Sequence, residues 1–253
     1  MVRGFYAAAA GVFSQQKAFN VTSNNIANAT TTGYKSQKTV ESSFGEHLVS
    51  KMSSINNMSD KNIGPGTFMT VNISEHTDFT QGSLENTGRA VDMALNGEGF
   101  FLIKSHIYGE VLTRNGQFDI DEDGELILSG VGKVLNENKR SISVESSNFS
   151  VSPSGIISED GDEVDTLYIA NRKEGTELKN VGNGVFQSQN GFQHADSENY
   201  KILQGTIEKS NINMAKEMSD IIAGQSHYQS CTQILKIFDK INEICVNQIG
   251  KIG

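Results

Sequence analysis

The sequence predicts an α+β protein: a mainly antiparallel β middle domain flanked by N- and C-terminal helices that pair as a coiled coil. Apolar residues near both termini recur at steps of three and four, the period of a helix packed on one face. Between these ends, short apolar runs alternate with Asn-Gly and Asp-Gly pairs, which favour tight β-hairpins. The expected domains are 1–62, a helix, an Asn/Thr-rich stretch and an extended linker; 63–205, the β domain; and 206–253, the coiled-coil helix.

The composition excludes several classes of function. The 253 residues carry a net charge of −9 and contain no basic run, so we expect no binding to nucleic acid. No segment approaches the ~20 apolar residues that span a bilayer, so we expect no membrane insertion. Cys231 and Cys245 share one helical face but lie too far apart on a straight helix to bond each other. We expect both to pack as small apolar side chains.

The N-terminal helix is predicted over residues 2–20. A helix this short is marginal alone in water, so its apolar row needs a partner surface. The beginning of the row resembles a signal peptide, but Gly11 interrupts it and the helical pattern continues beyond, so we expect no cleaved signal peptide. The row comprises Val2, Phe5, Tyr6, Ala9, Val12, Phe13, Gln16 and Phe19.

The helix is expected to end within the next segment. Residues 21–40 are rich in Asn and Thr, whose side chains compete for nearby backbone groups. Gly33 is predicted to adopt a positive φ. Residues 41–62, rich in Ser, Asn and Met, predict a helix–loop stretch of low order.

The β region, from about 64 to 205, holds five apolar runs of strand length, and no helical row of useful length interrupts it. Asn-Gly pairs at 96–97, 115–116 and 190–191 and Asp-Gly pairs at 123–124 and 160–161 supply turns between strands. The predicted strands are Phe68–Ile73, Phe100–Lys104, Leu126–Leu128, Ile142–Val144 and Leu167–Ala170.

A second, longer helix is predicted over residues 211–249. Its apolar row spans about five heptads, which is typical of coiled-coil packing, and either Asn211 or Asn213 is expected to cap its start. Since neither terminal row has another apolar partner, the two rows are expected to pack on each other or on neighbouring copies. The row comprises Met214, Met218, Ile221, Gln225, Tyr228, Cys231, Leu235, Phe238, Ile241, Cys245 and Ile249.

Little in the sequence points to chemistry. Asp119, Asp121 and Asp123 resemble the opening of a calcium loop, but its twelfth position is Gly130 instead of a bidentate Glu and the context is a hairpin. Weak calcium binding and a solvated turn are both compatible with this turn, and no metal ligand is assigned. The five histidines are scattered, and no nucleophile or phosphate-loop motif is present. The sequence therefore predicts no enzyme and no cofactor.

Four blocks, in order along the chain, resemble the flagellar rod and hook protein family. Ser23–Lys35 is similar to that family's N-terminal signature, and Thr80–Phe101 is similar to its central block ending in G-x-G-F-F. Thr113–Phe118, followed by Asp123-Gly124, resembles its T-R-x-G-x-F…D-G hairpin, and Gln204–Asn213 resembles its C-terminal element. The resemblance therefore covers nearly the whole chain.

The resemblance implies a structural subunit of the basal-body rod. Such subunits carry no cleaved signal and leave the cell through the flagellar type III export apparatus. Their terminal helices pair around the export channel, a β-rich domain lies outside, and they bind copies of themselves and adjacent rod and hook proteins to transmit torque. The distal rod protein and its proximal-rod paralogue both remain open, with a hook protein paralogue or a secreted β-rich adhesin as the alternatives.

The expected assembly interface combines the two helical rows with the polar signature that follows the first helix. It comprises Phe5, Val12, Phe13, Phe19, Asn24, Asn25, Asn28, Gly33, Met218, Ile221, Tyr228, Leu235, Phe238 and Ile241.

Overall fold

The computed structural model divides into two compact units, each assembled from separate segments of the chain. Unit 1 comprises residues 1–26, 37–78 and 213–253, and unit 2 comprises residues 27–36 and 79–212. The chain therefore passes from one unit to the other at four points. The structure describes residues 2–43, 46–51, 61–67, 70–144, 149–173, 176, 178–182 and 184–249.

Unit 1 contains the two helices, α1 (Val2–Ala27) and α2 (Met214–Ile249). The expectation that the first helix ends near residue 20 was wrong. The helix continues because Val21 and Asn25 are buried, and because Thr22 Oγ1 bonds back to the Ala18 carbonyl at 3.0 Å without interrupting it. Tertiary burial here outweighs the low helix propensity of Asn and Thr. Neither described helix has a stretch long and apolar enough to cross a bilayer.

The two helices are antiparallel and contact each other along their length. A Cβ built at Gly4 would lie 2.6 Å from the Phe238 ring, and one built at Gly11 would lie 3.0 Å from Cys231 Sγ. The Phe19 and Tyr228 rings meet edge to face at 6.2 Å. Glycine at positions 4 and 11 leaves room for the Phe238 ring and for the Cys231 side chain of α2. The pairs, in order along α1, are Gly4–Phe238, Gly11–Cys231, Phe19–Gly224 and Asn25–Glu217.

The remainder of unit 1 is β-structure, so the predicted helix–loop stretch at 41–62 was wrong for the residues described. Two antiparallel pairs, β1 with β4 and β2 with β3, satisfy the backbone groups of this region. Residues 44–45, 52–60 and 68–69 lie outside the described chain. The strands are β1 (Gln37–Ser43), β2 (Glu46–Lys51), β3 (Lys61–Thr67) and β4 (Thr70–Thr77).

Unit 2 is antiparallel β. Its strands are β5 (Leu84–Asn86), β6 (Met93–Gly97), β7 (Phe100–Ser105), β8 (Gly109–Thr113), β9 (Asp119–Ile120), β10 (Leu126–Leu128), β11 (Gly132–Val134), β12 (Phe149–Val151), β13 (Ile156–Glu159), β14 (Asp162–Thr166), β15 (Ile169–Arg172), β16 (Leu178–Gly182), β17 (Val185–Ser188), β18 (Phe192–His194), β19 (Tyr200–Gln204) and β20 (Thr206–Glu208).

Within the described part of unit 2, the largest sheet has the order β16-β17-β8-β7-β11-β10-β9, with β15 pairing both β7 and β18. Strands β12, β13 and β14 form a second sheet, and β19 pairs with β6 and β20 with β5. The main core gathers fully buried side chains from several of these strands, among them Met93, Leu95, Phe101 and Ile157, and also Phe118 from the residue before β9.

The predicted strands had mixed outcomes. Leu126–Leu128 is confirmed, and Phe100–Lys104 is confirmed with one further residue in β7. The strand at Leu167–Ala170 begins later, at Ile169. Ile142–Val144 does not form a regular strand, but its backbone is paired: Ser143 forms an isolated bridge with Glu125, and Ile142 bonds to Leu126 and Val134. Its two apolar side chains are buried, as the apolar pattern indicates.

Two turn predictions depended on positive φ. Gly33 has φ 67° as expected. Asp160 and Gly161 have φ 50° and 97° and join β13 to β14 as a two-residue hairpin. Positive φ at both central residues is the requirement of a type I′ turn, which explains the Asp-Gly pair.

Candidate assembly interface and the buried charge cluster

The apolar row of α1 lies largely outside its contact with α2. Tyr6 is 55% exposed and Phe13 is 65% exposed, and Phe5 is also exposed. Val12 and Phe19 are half-buried. Gly4, Gly11 and Phe19 face α2, whereas Phe5, Tyr6 and Phe13 are exposed.

A second apolar row on α2 was missed by the sequence analysis, which found only one of its members, Ile241. Its side chains are exposed, with Ile237 at 58%. A strict spacing of three, four and three residues was the signal that could have revealed it. Of the residues assigned to the first row, Ile221, Leu235 and Phe238 are half-buried, whereas Met218 and Tyr228 are exposed. The second row comprises Ile234, Ile237, Ile241 and Ile244.

Asn25, from the polar signature, ties three segments of unit 1 together. Its Oδ1 accepts from the Gln37 backbone N–H at 3.0 Å, and its Nδ2 donates to the Gln37 carbonyl at 2.8 Å. The same Nδ2 lies 3.2 Å from Glu217 Oε2 in the first turn of α2. One buried side chain thus pairs with β1 as a neighbouring strand would and also binds α2. Asn24 is exposed on α1.

Asn28 has a local role. It is half-buried, its Oδ1 accepts from Thr31 Oγ1 at 3.2 Å, and its carbonyl accepts from the Thr31 N–H at 3.1 Å. These bonds form the turn that follows α1 and redirects the chain into unit 2.

Glu208 is the centre of unit 2's polar architecture, and sequence reasoning did not single it out. Its side chain is fully buried. Oε1 accepts from Lys35 Nζ at 2.6 Å and from the Gly82 N–H at 2.8 Å. Oε2 lies 3.3 Å from Arg114 Nη1. Lys35 Nζ also donates to the Thr80 carbonyl at 2.8 Å. One carboxylate therefore joins residues from all four family-like blocks.

Arg114 completes the cluster from the T-R-x-G block. Its Nη2 donates to the Gly97 carbonyl at 2.7 Å, and its guanidinium lies over the Phe100 ring at 5.3 Å. Burial lowers the pKa of Arg114 from its ordinary value, and the neighbouring Glu208 carboxylate offsets part of that effect. Two cations and one carboxylate lie together in the protein interior.

The glycines of these blocks are needed because backbone segments pass very close to one another. The Gly33 N–H donates to the Glu208 carbonyl at 2.7 Å. A Cβ at Gly33 would lie 2.3 Å from the backbone nitrogen of Asn115. At Gly82, an added Cβ would lie 1.9 Å from the Lys209 carbonyl oxygen. Neither position has room for a side chain.

The two candidate caps of α2 have different roles. Asn213 is the cap, since its Oδ1 accepts from the Lys216 N–H at 3.1 Å. Asn211 belongs to unit 2, where its Oδ1 accepts from the Ser36 N–H at 2.8 Å and its Nδ2 donates to Thr80 O at 3.1 Å. Asn211 therefore holds the signature segment beside the Glu208 cluster.

The acidic side chains at β9 and in the turn that follows it form hydrogen bonds with other groups of the protein. Asp119 binds Arg89 Nη2 at 2.9 Å and Ser129 Oγ at 3.0 Å. Asp121 Oδ1 accepts from the Glu122 N–H at 2.8 Å. Over the portion of the chain that the structure covers, no group of three or more His, Cys, Asp or Glu side chains is arranged to hold a metal ion.

Paired terminal helices with apolar rows open to solvent, joined to a folded β unit, are typical of a subunit of a larger assembly. Three family models match the chain in order: "Flagella basal body rod protein" over residues 5–35, "Flagellar hook protein FlgE/F/G D1 domain" over 94–159, and "Flagellar basal body rod FlgEFG protein C-terminal" over 203–249. The chain belongs to the flagellar basal-body rod and hook protein family.

Curated relatives match along almost their whole length. The flagellar basal-body rod protein FlgG of Buchnera aphidicola subsp. Baizongia pistaciae is 28% identical over 95% of this chain and 97% of its own. FlgG of Bacillus subtilis is 28% identical over 98% of this chain and 99% of its own. The flagellar hook-basal body complex protein FlhO of Bacillus subtilis is 27% identical over all of both chains.

Proposed function

We propose that this protein is a structural subunit of the bacterial flagellar basal-body rod that assembles with copies of itself and with adjacent axial proteins. The observation that carries the proposal is the exposure of apolar rows on a paired set of terminal helices. Its family membership and the rod proteins among its relatives support a rod subunit over a hook paralogue or a secreted adhesin. This role is mechanical and requires no catalytic group.

Assembly would bury the apolar rows that the single chain exposes. The row on α2 contributes four isoleucines, and α1 contributes Phe5, Tyr6 and Phe13. Fully burying one such side chain stabilises a complex by ~1.5–3 kcal/mol, so the rows together supply on the order of 10 kcal/mol before entropic costs. Burial of these rows would therefore favour contacts between copies.

The distribution of charge supports packing through the helices. Unit 1 contains nine basic and nine acidic residues, whereas unit 2 contains 12 basic and 21 acidic residues. The whole net charge of −9 therefore belongs to unit 2. A unit without net charge can pack against its own copies without net repulsion, while an acidic unit 2 favours solubility.

We extend the proposal to the arrangement of the rod. The heptad spacing of contacts between α1 and α2 supports coiled-coil packing of these helices around an export channel, and the assembled subunits would transmit torque. The chain would reach this place through the flagellar type III export apparatus without cleavage of a signal peptide. Mass spectrometry of the subunit from purified basal bodies tests this: residues 2–20 should be present, and their absence would contradict it.

The domain limits 1–62, 63–205 and 206–253 stay a proposal. Limited proteolysis of the purified chain distinguishes these three domains from units 1 and 2. A resistant fragment that begins near 63 and ends near 205 supports the three domains. A fragment that begins near 79 and ends near 212 contradicts them and favours unit 2 as the stable body.

Electron microscopy of basal bodies from a strain that lacks this gene tests the proposed role. We expect a rod that stops short and carries no hook, and the point where it stops identifies the distal or proximal segment. A complete rod without a hook would favour a hook paralogue. Intact rods and hooks on motile cells would contradict the proposal.

A further inference from the structure

The contacts that Gly4 and Gly11 of α1 make with α2 leave the register of the helix pair open. Gly4, Gly11 and Asn25 are separated by multiples of seven residues, and so are their partners on α2. A slip of seven residues would place Gly11 opposite Phe238, a contact of the same kind as Gly4 with Phe238. Apolar heptads of this kind accept several registers, and a polar or ionic contact at one point is the usual way to fix one.

The chain segments that follow α1 and precede α2 also bond each other within unit 2. In unit 1, Asn25 binds Glu217 near the end of α1 and the start of α2. In unit 2, the Gly33 N–H binds the Glu208 carbonyl, and Lys35 Nζ binds the Glu208 carboxylate. Unlike the contacts at Gly4 and Gly11, neither the Asn25–Glu217 contact nor this cluster has a repeat seven residues away.

We propose that the buried cluster of Lys35, Glu208 and Arg114 sets the register in which α1 pairs with α2. Lys35 lies eight residues after α1 ends, and Glu208 lies six residues before α2 begins. Bonding them fixes how much chain separates the cluster from each helix, so only one alignment of the helices is compatible with it. Lys35 is thus a positioning residue for the apolar rows that assembly uses.

A slipped register is disfavoured because of the charges in the cluster. Moving Lys35 away would remove the hydrogen bonds from its Nζ to the Glu208 carboxylate and to the Thr80 carbonyl, and would leave Arg114 as the cation paired with Glu208. A partly satisfied buried polar network is costly, and the best-attested role of buried ionic groups is the specification of register. The inference rests on the helix pair used in the proposed function, but it does not depend on the flagellar role.

The chain's own cysteines provide reporters of register. Gly11→Cys should form a disulfide with Cys231 under mild oxidation of the purified chain, because a Cβ at position 11 lies 3.0 Å from Cys231 Sγ. Gly4→Cys has no cysteine partner in the observed register, since Phe238 lies opposite. After a slip of seven residues in either direction, position 4 would face Cys231 or Cys245.

Lys35→Met tests the proposal because methionine has a volume similar to that of lysine and carries no charge. The remaining Glu208–Arg114 pair has no net charge. We expect the rate of the Gly11→Cys disulfide to fall about tenfold, which corresponds to ~1.4 kcal/mol of register preference. The Gly4→Cys disulfides should rise over their level in the otherwise native chain. A general loss of helix structure would lower the first signal without raising the second.

Lys139→Met is the matched control, since it removes an exposed lysine bonded to Glu110 in the same unit. It should change neither disulfide. Asn211→Ala, which releases Ser36, is a second way to loosen the signature segment if Lys35→Met unfolds unit 2. Equal behaviour of the two lysine variants, or no disulfide in the Gly11→Cys chain itself, would overturn the proposal. Electron microscopy of basal bodies from the deletion strain tests the proposed function separately, and its result does not depend on the disulfide measurements.

Discussion

Lys35 and Glu208, which are 173 residues apart in the chain, form a fully buried ion pair with Nζ and Oε1 separated by 2.6 Å. The pair joins the segment that follows α1 to the segment that precedes α2. It is closed by Arg114 and by the Gly82 N–H, so its loss would affect several parts of unit 2 together.

Glu208→Gln should be strongly destabilising. The variant keeps the shape of the side chain but leaves two buried cations without a counterion, for which a loss of ~3–5 kcal/mol in the free energy of unfolding is expected. Denaturant unfolding followed by circular dichroism measures it. Glu110→Gln, which removes the exposed pair with Lys139, should cost less than ~1 kcal/mol. Similar losses in the two variants would be inconsistent with a structural role for the buried cluster.

Gly33→Ala should destabilise unit 2 through two effects, a positive φ and a backbone clash. Gly109→Ala separates them, because Gly109 has φ 73° but no atom within 4 Å of its added Cβ. The φ effect alone costs ~1–2 kcal/mol, and the clash of position 33 with Asn115 should raise the loss well above that. Thermal denaturation of the two variants compares them, and equal melting temperatures would contradict the close approach.

Phe13→Asp and Leu235→Asp should each block assembly while leaving the β unit folded. A carboxylate in either helix would be desolvated in a packed helical layer, at a cost of several kcal/mol. Motility and basal-body preparation measure assembly, and circular dichroism reports folding. Ile107→Asp is the control, since Ile107 is 81% exposed but lies in unit 2. Normal motility of both helix variants would count against the interface.

The stability of unit 2 should decrease in acid partly through Glu125. Hydrogen bonds from Lys133 and then from Ser141 hold the pKa of the Glu125 carboxyl below its ordinary value of 4.5. A carboxyl whose pKa is depressed on folding contributes stability above its unfolded pKa, and this contribution is lost as the pH falls through its folded pKa. Unfolding measured between neutral pH and acid should therefore show a smaller decline for Glu125→Gln. An identical decline would argue against this ion pair.

The helices and turns could be predicted from sequence because their signals are local. The period of α2, the turn at Asp160–Gly161 and the positive φ of Gly33 each depend on a few neighbouring residues. The extent of α1 could not be predicted in the same way, since Val21 and Asn25 are stabilised by tertiary contacts that oppose their local propensity.

The candidate site was harder to predict because its partners are distant in sequence. Lys35, Arg114 and Glu208 were visible as members of separate blocks, but nothing in their spacing indicates that they meet. Likewise, tertiary contacts with Ser36 and Thr80 distinguish Asn211 from the helix cap Asn213. The exposed row on α2 could have been predicted from the sequence, since its residues recur at helical spacing. It was missed because a neighbouring row on the same helix was assigned instead.

Disulfide cross-linking inside purified basal bodies tests the central claim most directly. Ile237→Cys, in a chain whose Cys231 and Cys245 are changed to Ser, places a single thiol on the exposed row of α2. If that row packs between subunits of the rod, mild oxidation should produce covalent dimers of this protein or adducts with an adjacent axial protein. A subunit that is incorporated into the rod but stays monomeric, or that is absent from basal bodies of motile cells, would contradict the account.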